Sequence, residues 1–427
     1  MSRVRFQDVV IGDEGLLRGP FGSDLKKSLF VPKGDKTYKV YIQENILFRN
    51  NNAGNYYISE EYYNSKMHRY AVHENDFIVT CDGTLGEIYQ LKNLKEKGII
   101  SSSLLRITLN PKVIDYDYFY YLWKAIIKKG LVTKANNSVL KHLPGITDIR
   151  KYEFELPDLK TQKTVSDVLK SLDSRIAINS SISNNLKSLA KTIYDYWFLQ
   201  FEFPNKEGKP YKSSGGKMVY NEELKREIPE GWEVKNVGAM CDIVLGGTPS
   251  TKIDEYWNGS INWLNSGEVA NFPVVESELK ITQKGLDNSA TEFMKKGTVV
   301  ASITGNIRAS ILAIDTCANQ SVVGILENNE YKKSYIYPII KDAINYYLKV
   351  STGNCQQHIN KQTIKDTLVA IPKNDILKKY YEQCENIYDM IINNGLESKQ
   401  LAELRDFLLP MLMNGQVTFK EDNKWKQ

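Results

Sequence analysis

A chain of 427 residues, 42% hydrophobic and 25% charged, is too long for a single core and predicts two or three soluble globular domains. No apolar stretch approaches the length of a membrane span, and the opening MSRVRFQDVV lacks an apolar signal segment, so a cytoplasmic chain is expected. The cysteines Cys81, Cys241, Cys317, Cys355 and Cys384 have neither zinc-site spacing nor the density of a disulfide scaffold, and a net charge of +5 tilts the chain only weakly toward polyanions.

Residues 1–155 mix β-branched and aromatic runs with glycine turns and read as a first mixed α/β domain, with a helical patch from Tyr116 to Lys129. At 156–200, Leu156-Pro157 opens a first spacer helix. Its apolar positions include Val165, Val168, Leu169, Leu172, Ile176, Ile182, Leu186 and Leu189, spaced by threes and fours as in a coiled-coil-like seam. Segment 201–227 contains FPNKEGKPYKSSGGK, a surface linker by composition. A second mixed domain spans 228–370, with a helical patch from Ser334 to Leu348. A second spacer helix at 371–415 carries Ile387, Ile391, Leu401, Leu404 and Leu408, and 416–427 is a C-terminal tail.

The chain repeats itself. The shift of 215 positions from Pro157 to Pro372 also takes Leu172 to Ile387, Ile176 to Ile391, Leu186 to Leu401, Leu189 to Leu404 and Asn179 to Asn394. Both prolines suit the first turn of a helix, where a missing N–H costs little. Asn179 and Asn394 either fix the register of the seam, or Asn393-Asn394-Gly395 breaks the second helix. More loosely, Phe77–Gly86 aligns with Thr298–Ile307, and Asn137–Leu143 with Gly353–Ile359, setting His142 opposite His358. The aromatic run Tyr194, Tyr196, Trp197, Phe198 reads as packing at a helix end rather than a platform for stacked bases.

IPEGWEV (Ile228–Val234), GGTPS (Gly246–Ser250), EYWNGSINWL (Glu255–Leu264) and ITQKGL (Ile281–Leu286) resemble the start of a target-recognition domain of the Type I restriction-modification specificity subunit. In the first half GPFGSDLK (Gly19–Lys26), YISEEYY (Tyr57–Tyr63), NDFIVTCDGTLG (Asn75–Gly86) and LPDLKTQ (Leu156–Gln162) are similar. The resemblance spans essentially the whole chain. It implies an α/β (α+β) fold, with two similar target-recognition domains separated by two long antiparallel coiled-coil spacer helices in a pseudo-twofold internal repeat. It further implies a non-catalytic subunit, without cofactor or metal, that reads a bipartite site in double-stranded DNA with one domain per half-site. The partners implied are two modification (methyltransferase) subunits docked on spacer and domains and, where a system has them, restriction (translocase/nuclease) subunits. The first domain lacks the IPEGW opening and carries GPFGS where the second has GGTPS, so the half-sites should differ and base-contacting residues do not transfer.

The chain's own residues leave little room for catalysis. There is no Pro-Pro dipeptide, hence no NPPY-like grip on a flipped base, and Gly208-Lys209 and Gly216-Lys217 lack the remaining residues of a phosphate loop. Asp158 with Glu207-Gly208-Lys209 only superficially resembles a nuclease cluster, because Asp158 sits where a helix N-terminus favours an acid. The histidines His68, His73, His142 and His358 have no metal-ligand spacing. Two rival readings are a recognition half cut from a fused methyltransferase and a coiled-coil scaffold that binds no DNA.

Candidate phosphate contacts are Arg18, Ser23, Lys26 and Lys27 in the first domain and Thr248, Ser250 and Lys252 in the second, although Gly-rich clusters also simply make turns. Candidate base readers are Gln43, Asn45, Asn136 and Asn137, then Asn265, Asn306, Arg308, Gln356 and Gln357, because Arg suits guanine and Asn or Gln suits adenine.

Overall fold

The computed structural model describes residues 1–127, 143–350 and 359–417. Asn136, Asn137, His142, Cys355, Gln356, Gln357 and His358 lie outside the described residues, as does the tail from 418. The chain divides into two compact units, Met1–Asp173 with Glu403–Gln427, and Ser174–Ala402.

The first unit runs β1 (Ser2–Arg5), β2 (Leu16–Arg18), β3 (Thr37–Tyr41), α1 (Gln43–Leu47), β4 (Tyr57–Ser59) and α2 (Glu60–Tyr62). It continues through β5 (Phe77–Thr80), β6 (Ile88–Gln90), β7 (Gly98–Ile100), β8 (Leu104–Ile107), α3 (Tyr116–Ile126), α4 (Ile146–Lys151) and β9 (Glu153–Leu156). Then α5 (Leu159–Tyr194) begins. Strands pair antiparallel in the order β2-β8-β5-β6, and a smaller sheet, β4-β3-β7, joins one antiparallel and one parallel pairing. Side chains alternate along a strand. Phe77 and Val79 therefore share a core with Phe6, Phe119, Trp123, the spacer residues Val165 and Leu169, and Leu409 from the C-terminal helix, whereas Ile78 joins Tyr41, Ile46 and Ile100.

The second unit repeats this plan. After a hairpin of β10 (Met218–Asn221) and β11 (Arg226–Pro229) come β12 (Glu233–Asn236), α6 (Val237–Met240), β13 (Ile243–Leu245), β14 (Trp257–Leu264), β15 (Leu279–Ile281) and α7 (Gln283–Asp287). They lead to β16 (Val299–Ser302), β17 (Ala309–Ile311), β18 (Cys317–Ala318), β19 (Val322–Ile325), α8 (Lys333–Val350), α9 (Lys361–Lys365), β20 (Leu368–Ile371) and α10 (Asn374–Met413). The orders β13-β19-β16-β17 and β15-β14-β18 match the first unit strand for strand, the parallel pairing included, and β12-β20 matches β1-β9. In the stretch 201–227, Phe201 and Phe203 are buried beside Trp232 and Met218–Asn221 forms β10, so this polar segment is fastened to the second unit.

Three details differ from the sequence reading. The strand alignment is one residue out: Ile78 corresponds to Val300, because Phe77 and Val79 face the helical core as Val299 and Ala301 do, and a one-residue slip exchanges the faces of a strand. Pro157 and Pro372 precede their helices instead of opening them, since β9 and β20 hold the chain extended up to each proline. Asp158 then caps α5, accepting the Thr161 N–H at 2.9 Å. Finally, Leu189 and Leu404 are 49% and 45% exposed. The seam steps from Leu186 to the buried Ala190 and from Leu401 to Arg405, and passes the two leucines by. Leu169 and Ile391 are buried, Leu172, Ile176, Leu186 and Leu401 are half-buried, and Ile387 and Leu408 pack against the two cores.

Helix α10 runs unbroken through Asn394 and Gly395. A Cβ on Gly395 would lie 2.8 Å from Pro273 Cγ, so the glycine admits a loop of the domain against the helix. Within the second unit α5 and α10 run antiparallel. Arg175 Nε donates to Glu397 Oε1 at 3.1 Å, Asn179 Nδ2 to Glu397 Oε2 at 2.9 Å, and Asn394 Nδ2 to Ser183 Oγ at 3.3 Å. Asn179 is only 2% exposed. Asn179→Ala should therefore lower stability by about 1–2 kcal/mol, read as a shifted urea midpoint; an unchanged midpoint would remove this bond from the seam.

Candidate nucleic-acid interface

In the first unit, β2 ends at Arg18, β5 ends at Thr80 and β8 begins at Leu104, so their loops emerge from one edge of the four-stranded sheet. The start of α1 reaches the same edge, because Ser101 N–H donates to the carbonyl of Tyr41 at the end of β3. Three polar groups meet there. Gln43 Nε2 donates to the Asp82 carbonyl at 2.8 Å, and Arg18 Nη2 lies 3.7 Å from Asp82 Oδ1.

The second unit presents the equivalent edge, where β13 ends at Leu245, β16 at Ser302 and β14 at Leu264. Thr248 Oγ1 donates to Gln320 Oε1 at 2.5 Å. In the amide orientation that satisfies both groups, Asn306 Oδ1 accepts from Arg308 Nε at 3.2 Å and Nη2 at 3.1 Å. Asn306 and Arg308 are both exposed, on the loop that joins β16 to β17.

The bases of these loops are built alike. Thr80 Oγ1 accepts the Glu87 N–H at 3.0 Å and donates to the Thr84 carbonyl, while Ser302 Oγ accepts the Arg308 N–H at 2.9 Å and donates to the Asn306 carbonyl at 3.0 Å. Both hydroxyls belong to buried residues, so each ties off its loop at the base. The glycine clusters have a structural task too. A Cβ on Gly19 would fall 1.9 Å from the Ser101 carbonyl, and one on Gly246 would fall 2.0 Å from the Asn319 carbonyl, so each glycine admits a neighbouring turn.

Asn45 is not available for a base. It is 0% exposed, accepts the Ile42 N–H at 2.8 Å, and donates to the carbonyls of Asn50, Asn51 and Ala53. Glu268 does the equivalent work in the second unit, accepting the Asn265 and Glu278 N–H groups at 2.7 Å each. Burial raises the Glu268 carboxyl above its ordinary range, opposed by those two N–H groups. Asn265 is half-buried and accepts from the Gly267 N–H at 2.8 Å. Ser23, Lys26, Lys27, Ser250 and Lys252 are exposed. Burial pushes the Cys81 thiol at the first edge up to about 11, which keeps it protonated and unreactive. Gln320 was missed from sequence; its place two residues before β19 mirrors that of Ser102 before β8, a signal visible only once the strands are aligned.

Among the described residues, no three His, Cys, Asp or Glu side chains come together to hold a metal ion, and no helix is long and apolar enough to cross a membrane. The fold and the two edges define an internally duplicated chain in which each repeat carries its own set of loops.

The family model of the Type I restriction modification DNA specificity domain matches twice, over residues 23–188 and 229–404. The Type I restriction enzyme MjaIX specificity subunit of Methanocaldococcus jannaschii is 24% identical over 311 residues, covering 71% of this chain and 70% of that protein. The HindI specificity subunit of Haemophilus influenzae is 21% identical over 374 residues, covering 75% and 81%. A crystal structure of a Type I restriction-modification S subunit from M. genitalium shares the fold with a TM-score of 0.53 at 14% identity, covering 98% of this chain and 96% of that one. The chain belongs to the family of Type I restriction-modification DNA specificity subunits, and its two target-recognition domains suit a bipartite site.

Ser302→Ala would remove the side-chain bonds at the base of the second loop and leave the Ser302 N–H on the Arg308 carbonyl. The expected result is a stability loss of about 1 kcal/mol with faster amide exchange at Arg308, whose N–H the hydroxyl accepts; unchanged exchange there would contradict the anchoring role.

Proposed function

We propose that the two loop-bearing edges are the DNA-reading surfaces, one for each half-site. The observation that carries this is the convergence of polar side chains at equivalent strand ends of the two units. In the first domain Arg18 and Gln43 read bases with the Asp82 loop, and Ser23, Lys26 and Lys27 meet phosphates. In the second, Asn306, Arg308, Asn265 and Gln320 face bases, and Thr248, Ser250 and Lys252 meet phosphates. Asn136, Asn137, Gln356 and Gln357 remain candidate readers by residue type. The chain itself supplies no chemistry and works in the cytoplasm. Two modification subunits dock on spacer and domains, and restriction subunits join where the system has them.

Purified free of partners, the chain should neither transfer methyl groups nor cleave DNA; activity in a preparation shown to be partner-free would contradict this. A sharper test uses the chain assembled with its methyltransferase subunits on duplexes altered in one half-site at a time. Arg308→Ala should lose about 1–3 kcal/mol of discrimination at the second half-site and leave the first unchanged. Equal damage at both would instead make Arg308 a folding residue.

A further inference from the structure

Phe21 is 81% exposed, the highest value among the exposed large hydrophobic residues described. It stands in the loop that follows Arg18, at the edge shared with Gln43 and Asp82. An aromatic ring of this size usually finds a partner.

The loop holds the ring out on a rigid base. The Gly19 N–H donates to the Leu104 carbonyl at 2.8 Å, and the 1.9 Å approach of a notional Gly19 Cβ to the Ser101 carbonyl shows how tightly this strand end is seated. Past the ring, the Asp24 N–H donates back to the Phe21 carbonyl at 2.9 Å, and the Tyr62 hydroxyl donates to the Asp24 carbonyl. The ring therefore projects from a closed turn anchored on both sides. Exposed Ser23, Lys26 and Lys27 follow it, suited to phosphates flanking an inserted group. Gly19 and Gly246 are equivalent close approaches, so Phe21 corresponds to Thr248, an exposed residue whose hydroxyl is bonded to Gln320. Among the described residues, the position of the second domain equivalent to Phe21 is thus polar.

We infer that Phe21 is a wedge that enters the first half-site between neighbouring base pairs and partly unstacks them, as an apolar side chain on a rigid support can. This rests on the edge being a reading surface. It makes recognition asymmetric: the first half-site is read partly through the ease with which one base step opens, the second through polar contacts alone.

The test uses the full chain assembled with its methyltransferase subunits. Duplexes carry 2-aminopurine at successive positions of each half-site other than the bases that the methyltransferase subunits themselves flip. Fluorescence should rise on binding at one step of the first half-site and at none of the second. Phe21→Ala should abolish the rise and weaken binding about tenfold, with second half-site discrimination unchanged as proof of folding, while Phe21→Leu should keep part of both. The wedge is overturned if the wild-type complex discriminates both half-sites with no rise, or if the rise survives Phe21→Ala. It is equally overturned if Phe21→Ala blocks assembly with the methyltransferase subunits, which would place the ring at a protein interface. A wild-type complex indifferent to both half-sites would sink the reading surface itself along with the wedge.

Discussion

The antiparallel pairing of the two spacer helices is the constraint on which the rest of the structure depends. Its centre is polar: Asn179 and Arg175 share Glu397, and Asn394 reaches Ser183. Apolar seams tolerate sliding because one leucine replaces another, whereas a buried amide is satisfied in a single register. Each helix also begins directly at a strand of its own domain, α5 after β9 and α10 after β20. Within the second unit a slip along the seam would pull α10 away from β20 and β20 from β12, so the polar centre also fixes the sheet that leads into that helix.

On that frame the two domains keep one topology and vary its loops. The same anchoring is achieved with different chemistry. After the central strand of the smaller sheet, Asn45 accepts one backbone N–H and donates to three carbonyls, whereas Glu268 accepts two backbone N–H groups. A threonine and a serine each tie off the loop after the central strand of the larger one. Because the bases are fixed by buried groups, the tips can change without disturbing the core. One domain carries Arg18, Gln43 and Phe21 there, the other Thr248, Asn306 and Arg308. Two unlike loop edges on one repeated scaffold are consistent with a bipartite, asymmetric site.

The repeat was legible because a seam spaced by threes and fours survives substitution of its members, and because β-branched runs mark buried strands. The limits lay where one residue type serves two purposes. Leu189 and Leu404 have the residue type of a seam but not its phase, which passes through Ala190 and Arg405. Asn45 has the donors and acceptors of an adenine reader, but a turn uses all of them. Gly19 and Gly246 suited a phosphate approach in composition, yet their space is taken by the carbonyls of Ser101 and Asn319. Phe21 carried no warning, since an exposed phenylalanine and a core one look alike in sequence.

The central claim is that each domain of this chain reads its own half of a bipartite DNA site. Its most direct test is single-molecule methylome sequencing of a host expressing this chain with its methyltransferase subunits, beside a second host in which Arg308→Ala replaces the wild type. The account predicts a new methylation motif of two unlike halves separated by an unspecified gap, with only one half relaxed by the substitution. A single continuous motif, or relaxation of both halves together, would contradict it.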